Sequence, residues 1–109
     1  MVKPVIGDVV VLPFPQTDLQ VGKRRPALVV ADIAGDDLIL CQITSQTRVD
    51  RYSVEITAAD FEQGKLAVDS YARANRLFTV DQSIVIYSAG RVNQGKLDQV
   101  REVIRALFT

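Results

Sequence analysis

The stretch Gly22-Lys23-Arg24-Arg25-Pro26-Ala27-Leu28-Val29-Val30 decides how this chain is read. Three consecutive cations run straight into an apolar sequence of β type, with a proline at the join. Proline fixes its own φ and pushes the residue before it toward extended geometry, so Arg25 reads as strand. A charge run at the mouth of a strand holds its cations on a rigid edge, where they can meet an anion. Left alone, such a run is a solvated patch, so its meaning depends on what else converges on Arg25.

The surrounding sequence is written in the same β idiom. Val5 to Phe14 reads as a first strand, apolar on both faces at Val9-Val10-Val11-Leu12 and stopped by Pro13-Phe14-Pro15. Gln16 to Lys23 is polar and reads as a loop, and Arg25 to Ala31 is the second strand. Gly35-Asp36-Asp37 predicts a tight turn into a third strand, Leu38 to Thr44. After a charged loop over Ser45 to Arg51, Tyr52 to Ile56 alternates with period two and predicts a half-buried strand. Thr57 to Gly64 predicts a single helical turn, with Thr57 as cap and Gly64 as terminator. Asp69 to Thr79 is extended, with Arg73 and Arg76 expected on opposite faces, and Ser83 to Ala89 is the last strand. From Asn93 onward the period changes. Leu97, Val100, Ile104 and Leu107 form one apolar stripe, with Val103 beside it and Asn93 as N-cap, so this helix must cover a sheet. About six short strands and one C-terminal helix predict a mainly β fold, a small curved antiparallel sheet or partly open barrel.

Composition narrows the function classes. At 109 residues with 48% hydrophobic content, one globular domain over residues 1–109 is expected. No apolar run approaches the ~20 residues needed to cross a bilayer. The N-terminus lacks a signal-peptide pattern, so a cytoplasmic protein with no membrane partner is expected. The lone Cys41 lies in an apolar strand and reads as a small buried hydrophobe. Histidine is absent, which removes the commonest general base and metal ligand and every Ser-His or Cys-His nucleophile pair. The acids are scattered without metal-type spacing, so no metal and no cofactor is expected. The 13 cations balance 13 anions, unlike a wholly basic nucleic-acid binder, but a local patch remains open to Lys23, Arg24, Arg25, Arg48, Arg51, Arg73, Arg76 and Arg91.

Few residues can carry chemistry. Thr44-Ser45-Gln46-Thr47 closes the third strand with hydroxyl and amide groups, which ordinarily cap a turn. If Arg25 and Thr44 meet, the chemistry is narrow. A guanidinium gives planar, bidentate, permanently charged recognition of phosphate, and a hydroxyl beside it can donate to a non-bridging oxygen. Together they would stabilise a crowded anionic phosphorus. With RNA the nucleophile can be the substrate's own 2′-OH, and neither a metal nor a protein nucleophile is then required.

The blocks Gly7-Asp8-Val9-Val10-Val11-Leu12-Pro13-Phe14-Pro15, Thr17-Asp18-Leu19 and Lys23-Arg24-Arg25-Pro26-Ala27-Leu28-Val29-Val30 closely resemble the opening of the PemK/MazF family. These are toxins of type II toxin–antitoxin modules that act as endoribonucleases. The likeness continues at Ile43-Thr44-Ser45-Gln46, from Asp69-Ser70 to Thr79-Val80-Asp81, and at Gly90-Arg91-Val92 with Leu97, Val100 and Leu107. It implies an SH3-like curved barrel with a C-terminal helix, found as a homodimer. It implies metal-independent cleavage of single-stranded RNA that leaves a 2′,3′-cyclic phosphate and a 5′-OH. Arg25 matches the family's catalytic arginine and Thr44 its catalytic threonine. Gln16, Thr17, Lys23 and Arg24 fall in the loop that covers substrate, and Ser45, Gln46, Arg48 and Arg76 are the further expected RNA contacts. A cognate antitoxin protein is the expected partner, laid as an extended segment across the same groove.

The chain departs from the common pattern at two places. Gln42 stands where many members have proline, and Asn75-Arg76-Leu77-Phe78-Thr79 replaces Asp-Gln-x-Arg-Thr. With Arg76 and Phe78 in place of the family's Gln and Arg, an altered base preference or a weakened activity is expected. A non-cleaving RNA-binding or regulatory member, and a gyrase-binding toxin of the CcdB kind, stand as the alternative readings.

Overall fold

The computed structural model describes residues 2–14 and 23–109. Seven strands form one sheet among them: β1 (Asp8–Pro13), β2 (Arg24–Asp32), β3 (Asp37–Thr44), β4 (Ser53–Ile56), β5 (Phe61–Gly64), β6 (Ser70–Asp81) and β7 (Tyr87–Val92). Their spatial order is β4-β6-β3-β2-β1-β7-β5, and each adjacent pair is antiparallel. The connectivity forces curvature. β4 and β5 are the two edges of the sheet, yet only residues 57–60 separate them in sequence. Five residue steps reach ~18 Å at most, whereas six strand spacings laid flat span ~29 Å. The sheet therefore curls into a half-barrel, as the β-rich pattern predicts.

The expectation of six strands undercounts by one. Only Ala58–Asp60 form a 3-10 turn where a helical turn through Gly64 was expected, and Phe61–Gly64 pair with β7 as β5. Gly64 does not terminate a helix. It has φ +72° and sits opposite Gly90, where an added Cβ would lie 2.2 Å from the Ala89 carbonyl oxygen and 2.5 Å from Gly90 Cα. The pair needs two glycines because the two backbones nearly touch. The last strand also starts later than the apolar run suggests. Gln82–Ile84 form a 3-10 turn, capped by the Asp81 carboxylate accepting from the Ser83 N–H, and β7 begins at Tyr87.

The helix α1 (Gln94–Ala106) follows the predicted stripe. Asn93 Oδ1 accepts from the Lys96 N–H at 2.8 Å, so one of the unpaired amides at the helix start is satisfied. Leu97 and Val100 are buried, and Val103, Ile104 and Leu107 are half-buried. Leu97, Val100, Val103 and Ile104 join Val9, Leu28, Val30, Cys41, Ile43, Val54, Ile56 and Ala72 in the core on the helix-covered face. A second core occupies the opposite face, built on Val10, Leu12, Phe14, Ala27, Val29, Leu38, Leu40 and Val85. There Phe14 and Phe78 meet edge-to-face at 5.1 Å, and the 3-10 turn before β7 leads into Val85.

Candidate functional site

Strand register brings the two leading candidates together. β1 sets Leu12 opposite Arg25, and β3 sets Gln42 opposite Ala27. Two places further along the same β2–β3 ladder, at the start of β2 and the end of β3, Arg25 stands level with Thr44. Residues level on neighbouring strands share a face with Cβ atoms ~4.5–5.5 Å apart. On β6, Tyr71 pairs with Thr44 and Arg73 with Gln42. Arg25, Gln42, Thr44, Tyr71 and Arg73 therefore lie on one face, that of the second core. Pro26, the third residue of β2, stands opposite Val11 and holds Arg25 extended ahead of it.

Thr44 is prepared as a donor. Its Oγ1 accepts the Gln46 N–H at 3.1 Å, the turn expected of a hydroxyl at a strand end. That bond occupies an oxygen lone pair and leaves the hydroxyl proton for another acceptor. Arg25 and Thr44 are both half-buried, so a phosphate beside them would be partly shielded from water.

The same end of the sheet borders a groove of about 670 Å³. Lys23, Arg24, Arg25 and Lys65 line it with Thr44, Ser45, Ser70, Tyr87 and Ser88, and among the described residues no Asp or Glu lines it. Four cations among the described lining residues, in a chain of zero net charge, make this a local anion-attracting surface. Strand alternation divides the expected contacts between two faces. Arg24 and Ser45 flank the Arg25–Thr44 row and turn to the opposite side of the sheet. Lys65 and Tyr87 escaped the sequence reading. Lys65 sits in the connection after the unforeseen β5, and Tyr87 was placed inside a strand when it opens one, half exposed.

The other expected contacts fall elsewhere. Gln16 and Thr17 lie outside the described residues. Gln46 contributes its backbone N–H to Thr44, with its side chain exposed. Arg76 is exposed and borders a separate hollow of about 450 Å³ with Leu12, Phe14, Gln42 and Phe78. Gln42 belongs to both that hollow and the Arg25–Thr44 face, so the two sequence departures meet in one place.

The expected split of Arg73 and Arg76 onto opposite faces is corrected by a bulge. Between Cys41 and Gln42 one step on β3 corresponds to the four steps from Leu77 to Arg73 on β6. The extra residues reset the alternation, and Arg76 comes close enough for its charge to act on Arg73. Burial, then the Arg48 and Arg76 charges, hold the Arg73 guanidinium below the usual arginine range.

Two other cations from the sequence are committed elsewhere. Arg91 Nε donates to Asp8 at 2.8 Å across the β1–β7 pair, and this bond raises the pKa of Arg91. Arg51 donates to the Tyr52 hydroxyl at 3.0 Å. Cys41 is fully buried, and burial pushes its thiol up to about 12, as a packing residue requires. No helix among the described residues is long and apolar enough to cross a membrane.

Among the described residues the fold is an antiparallel, curled half-barrel with one C-terminal helix. The chain belongs to the family described as PemK-like, MazF-like toxin of type II toxin-antitoxin system, whose model matches residues 6–108. It is similar to the crystal structure of MazF from Deinococcus radiodurans, with 25% identity, a TM-score of 0.79, and 99% of this chain and 98% of that one covered. A MazE–MazF structure from the same organism matches at 23% identity and TM-score 0.78, over 99% and 97% of the two chains. An endoribonuclease in complex with its cognate antitoxin, from a mycobacterial species, matches at 16% identity and TM-score 0.75, over 96% and 94%. No curated protein matches the sequence.

Proposed function

We propose that this toxin is an endoribonuclease that cleaves single-stranded RNA without a metal, using Arg25 and Thr44 on the scissile phosphate. The observation that carries this reading is the register of β2 and β3, which sets a guanidinium level with a hydroxyl already oriented by the Gln46 N–H. In the reaction the substrate's 2′-OH loses its proton and attacks the neighbouring phosphorus. The bond from phosphorus to the 5′-oxygen breaks, and that oxygen takes up a proton. The products are a 2′,3′-cyclic phosphate and a 5′-OH. Negative charge grows on the non-bridging oxygens as phosphorus becomes five-coordinate. Arg25 meets that charge with a fixed positive plane, and Thr44 donates its hydroxyl proton in a hydrogen bond. Lys23, Arg24 and Lys65 attract the backbone on either side.

The cationic groove also supports an antitoxin partner that places an acidic, extended segment there, in keeping with the relatives solved with MazE or a cognate antitoxin. A homodimer follows the family pattern. The exposed Ile84, which lines the Arg76–Phe78 hollow, and the exposed Ile86 two residues on supply apolar surface for a second copy.

The test is cleavage of a defined single-stranded RNA in excess chelator, with both new ends mapped. Cyclic-phosphate and 5′-OH ends are expected. Intact RNA, or ends that appear only when a divalent metal is supplied, would overturn the reading.

A further inference from the structure

The geometry points to Tyr71 as the group that gives its proton to the leaving 5′-oxygen of the RNA. The inference rests on the nuclease reading above and deepens it, naming the source of a proton that the reaction requires. In a chain without histidine that donor is some other side chain.

Strand pairing puts Tyr71 beside the Arg25–Thr44 pair. On β6 it stands directly opposite Thr44 of β3, and on its other side it stands opposite Glu55 of β4. Arg25 is level with Thr44 on β2, so Arg25, Thr44, Tyr71 and Glu55 form one row across four strands. Residues directly opposite share a face, with Cβ atoms ~4.5–5.5 Å apart. Thr44 is therefore flanked by Arg25 on one side and by Tyr71 on the other.

Within this row only Thr44 and Tyr71 carry an O–H. The Thr44 hydroxyl serves a non-bridging oxygen in the reading above. The Tyr71 side chain is half-buried, and its hydroxyl has no hydrogen-bond partner among the described residues. Glu55 is exposed and stands two strand spacings, ~10 Å, from Thr44, so the phenol is the nearer donor.

The proton balance follows from the row. An in-line displacement sets the attacking and leaving oxygens on opposite sides of phosphorus. With a non-bridging oxygen on Thr44, a donor to the side of Thr44 meets a bridging one. The 2′-oxygen bonds to phosphorus, and its proton passes to water. The bond from phosphorus to the 5′-oxygen breaks with its electron pair left on that oxygen. The Tyr71 phenol supplies the proton that makes it a 5′-OH, and the phenolate regains a proton from water before the next turnover. A phenol is a stronger acid than a sugar alcohol, so this transfer assists the bond breaking.

The experiment compares single-turnover cleavage of two RNAs by the parent and by Tyr71→Phe, which keeps the ring and removes the hydroxyl. One RNA is unmodified. The other carries sulfur in place of the bridging 5′-oxygen at the cut bond, and a thiolate leaves without a proton. Tyr71→Phe should cut unmodified RNA about 10²–10⁴-fold more slowly than the parent. It should cut the sulfur-bridged RNA as fast as the parent does, whereas Thr44→Val should stay slow on both.

A phenylalanine variant that keeps pace with the parent on unmodified RNA would overturn the assignment. So would one equally slow on both RNAs, because its hydroxyl would then serve binding or positioning rather than the leaving oxygen. Either result, with a parent that cuts, leaves the nuclease reading intact. A parent that cuts neither RNA removes both.

Discussion

Replacing Thr44 by valine separates a catalytic hydroxyl from a turn-capping one. Valine keeps the shape and β-branching of threonine, so the strand end is not emptied. What is lost structurally is one hydrogen bond, from the Gln46 N–H to Oγ1 at 3.1 Å. Gln46 is exposed, so water can replace that acceptor, and the cost to folding should be about 1 kcal/mol or less. A loss of that size moves the melting temperature by a few degrees, at most ~8 °C. The cost to catalysis should be far larger. A hydroxyl that donates to the oxygens gaining charge at phosphorus is equivalent to one donor of an oxyanion hole, worth about 10²–10³ in rate. Single-turnover cleavage at saturating RNA reads the second quantity and thermal melting the first. Thr44→Ser, which restores the hydroxyl, should recover most of the rate. A valine variant that cuts within about threefold of the parent would refute the reasoning, leaving Thr44 only a turn cap.

Three further predictions concern the scaffold. Gly64→Ala should lower stability by about 2 kcal/mol or more in a denaturant titration, because its Cβ would lie 2.2 Å from the Ala89 carbonyl oxygen. Asn93→Ala should cost about 1 kcal/mol by losing the bond to the Lys96 N–H, with Asn93→Asp close to neutral. Cys41 should resist iodoacetamide at pH 8 in the native protein and react once the chain is unfolded. Its thiol lies near 12 when folded against 9.0 ordinarily, so the unfolded chain loses this proton first as pH rises. The stability of the parent relative to Cys41→Ala should therefore be constant below pH 9 and fall between pH 9 and 12.

The elements legible in the sequence are those with a strong period or a fixed dihedral. Leu97, Val100, Ile104 and Leu107 repeat at helical spacing, and Asn93 sits where an N-cap belongs; both hold in α1. The Arg25-Pro26 step marks β2, and Gly35, with φ +83°, supports the expected turn into β3. β5 was hidden because Phe61-Glu62-Gln63-Gly64 carries no alternation of its own. It pairs with β7 through a glycine contact between residues far apart in sequence. The bulge in β6 was hidden for a related reason. Tyr71 to Phe78 alternates smoothly, and only its pairing with Cys41 and Gln42 shows that three residues do not advance the ladder. That bulge resets the alternation between Arg73 and Arg76, which had no signal in sequence order. Arg25 and Thr44 were within reach because each stands at a strand end, where the chain shows its punctuation. Their juxtaposition depends on a β2–β3 register that the turn at Gly35 constrains only approximately.

The central claim is that Arg25 stabilises charge at a phosphate being cut. Its most direct test compares single-turnover cleavage of one defined RNA by the parent, Arg25→Lys and Arg25→Ala, with each variant shown to melt as the parent does. The account predicts a fall of about 10²–10³-fold for alanine at saturating RNA, with only partial recovery for lysine, which lacks the bidentate plane. An alanine variant that cuts the same bond as fast as the parent would contradict it.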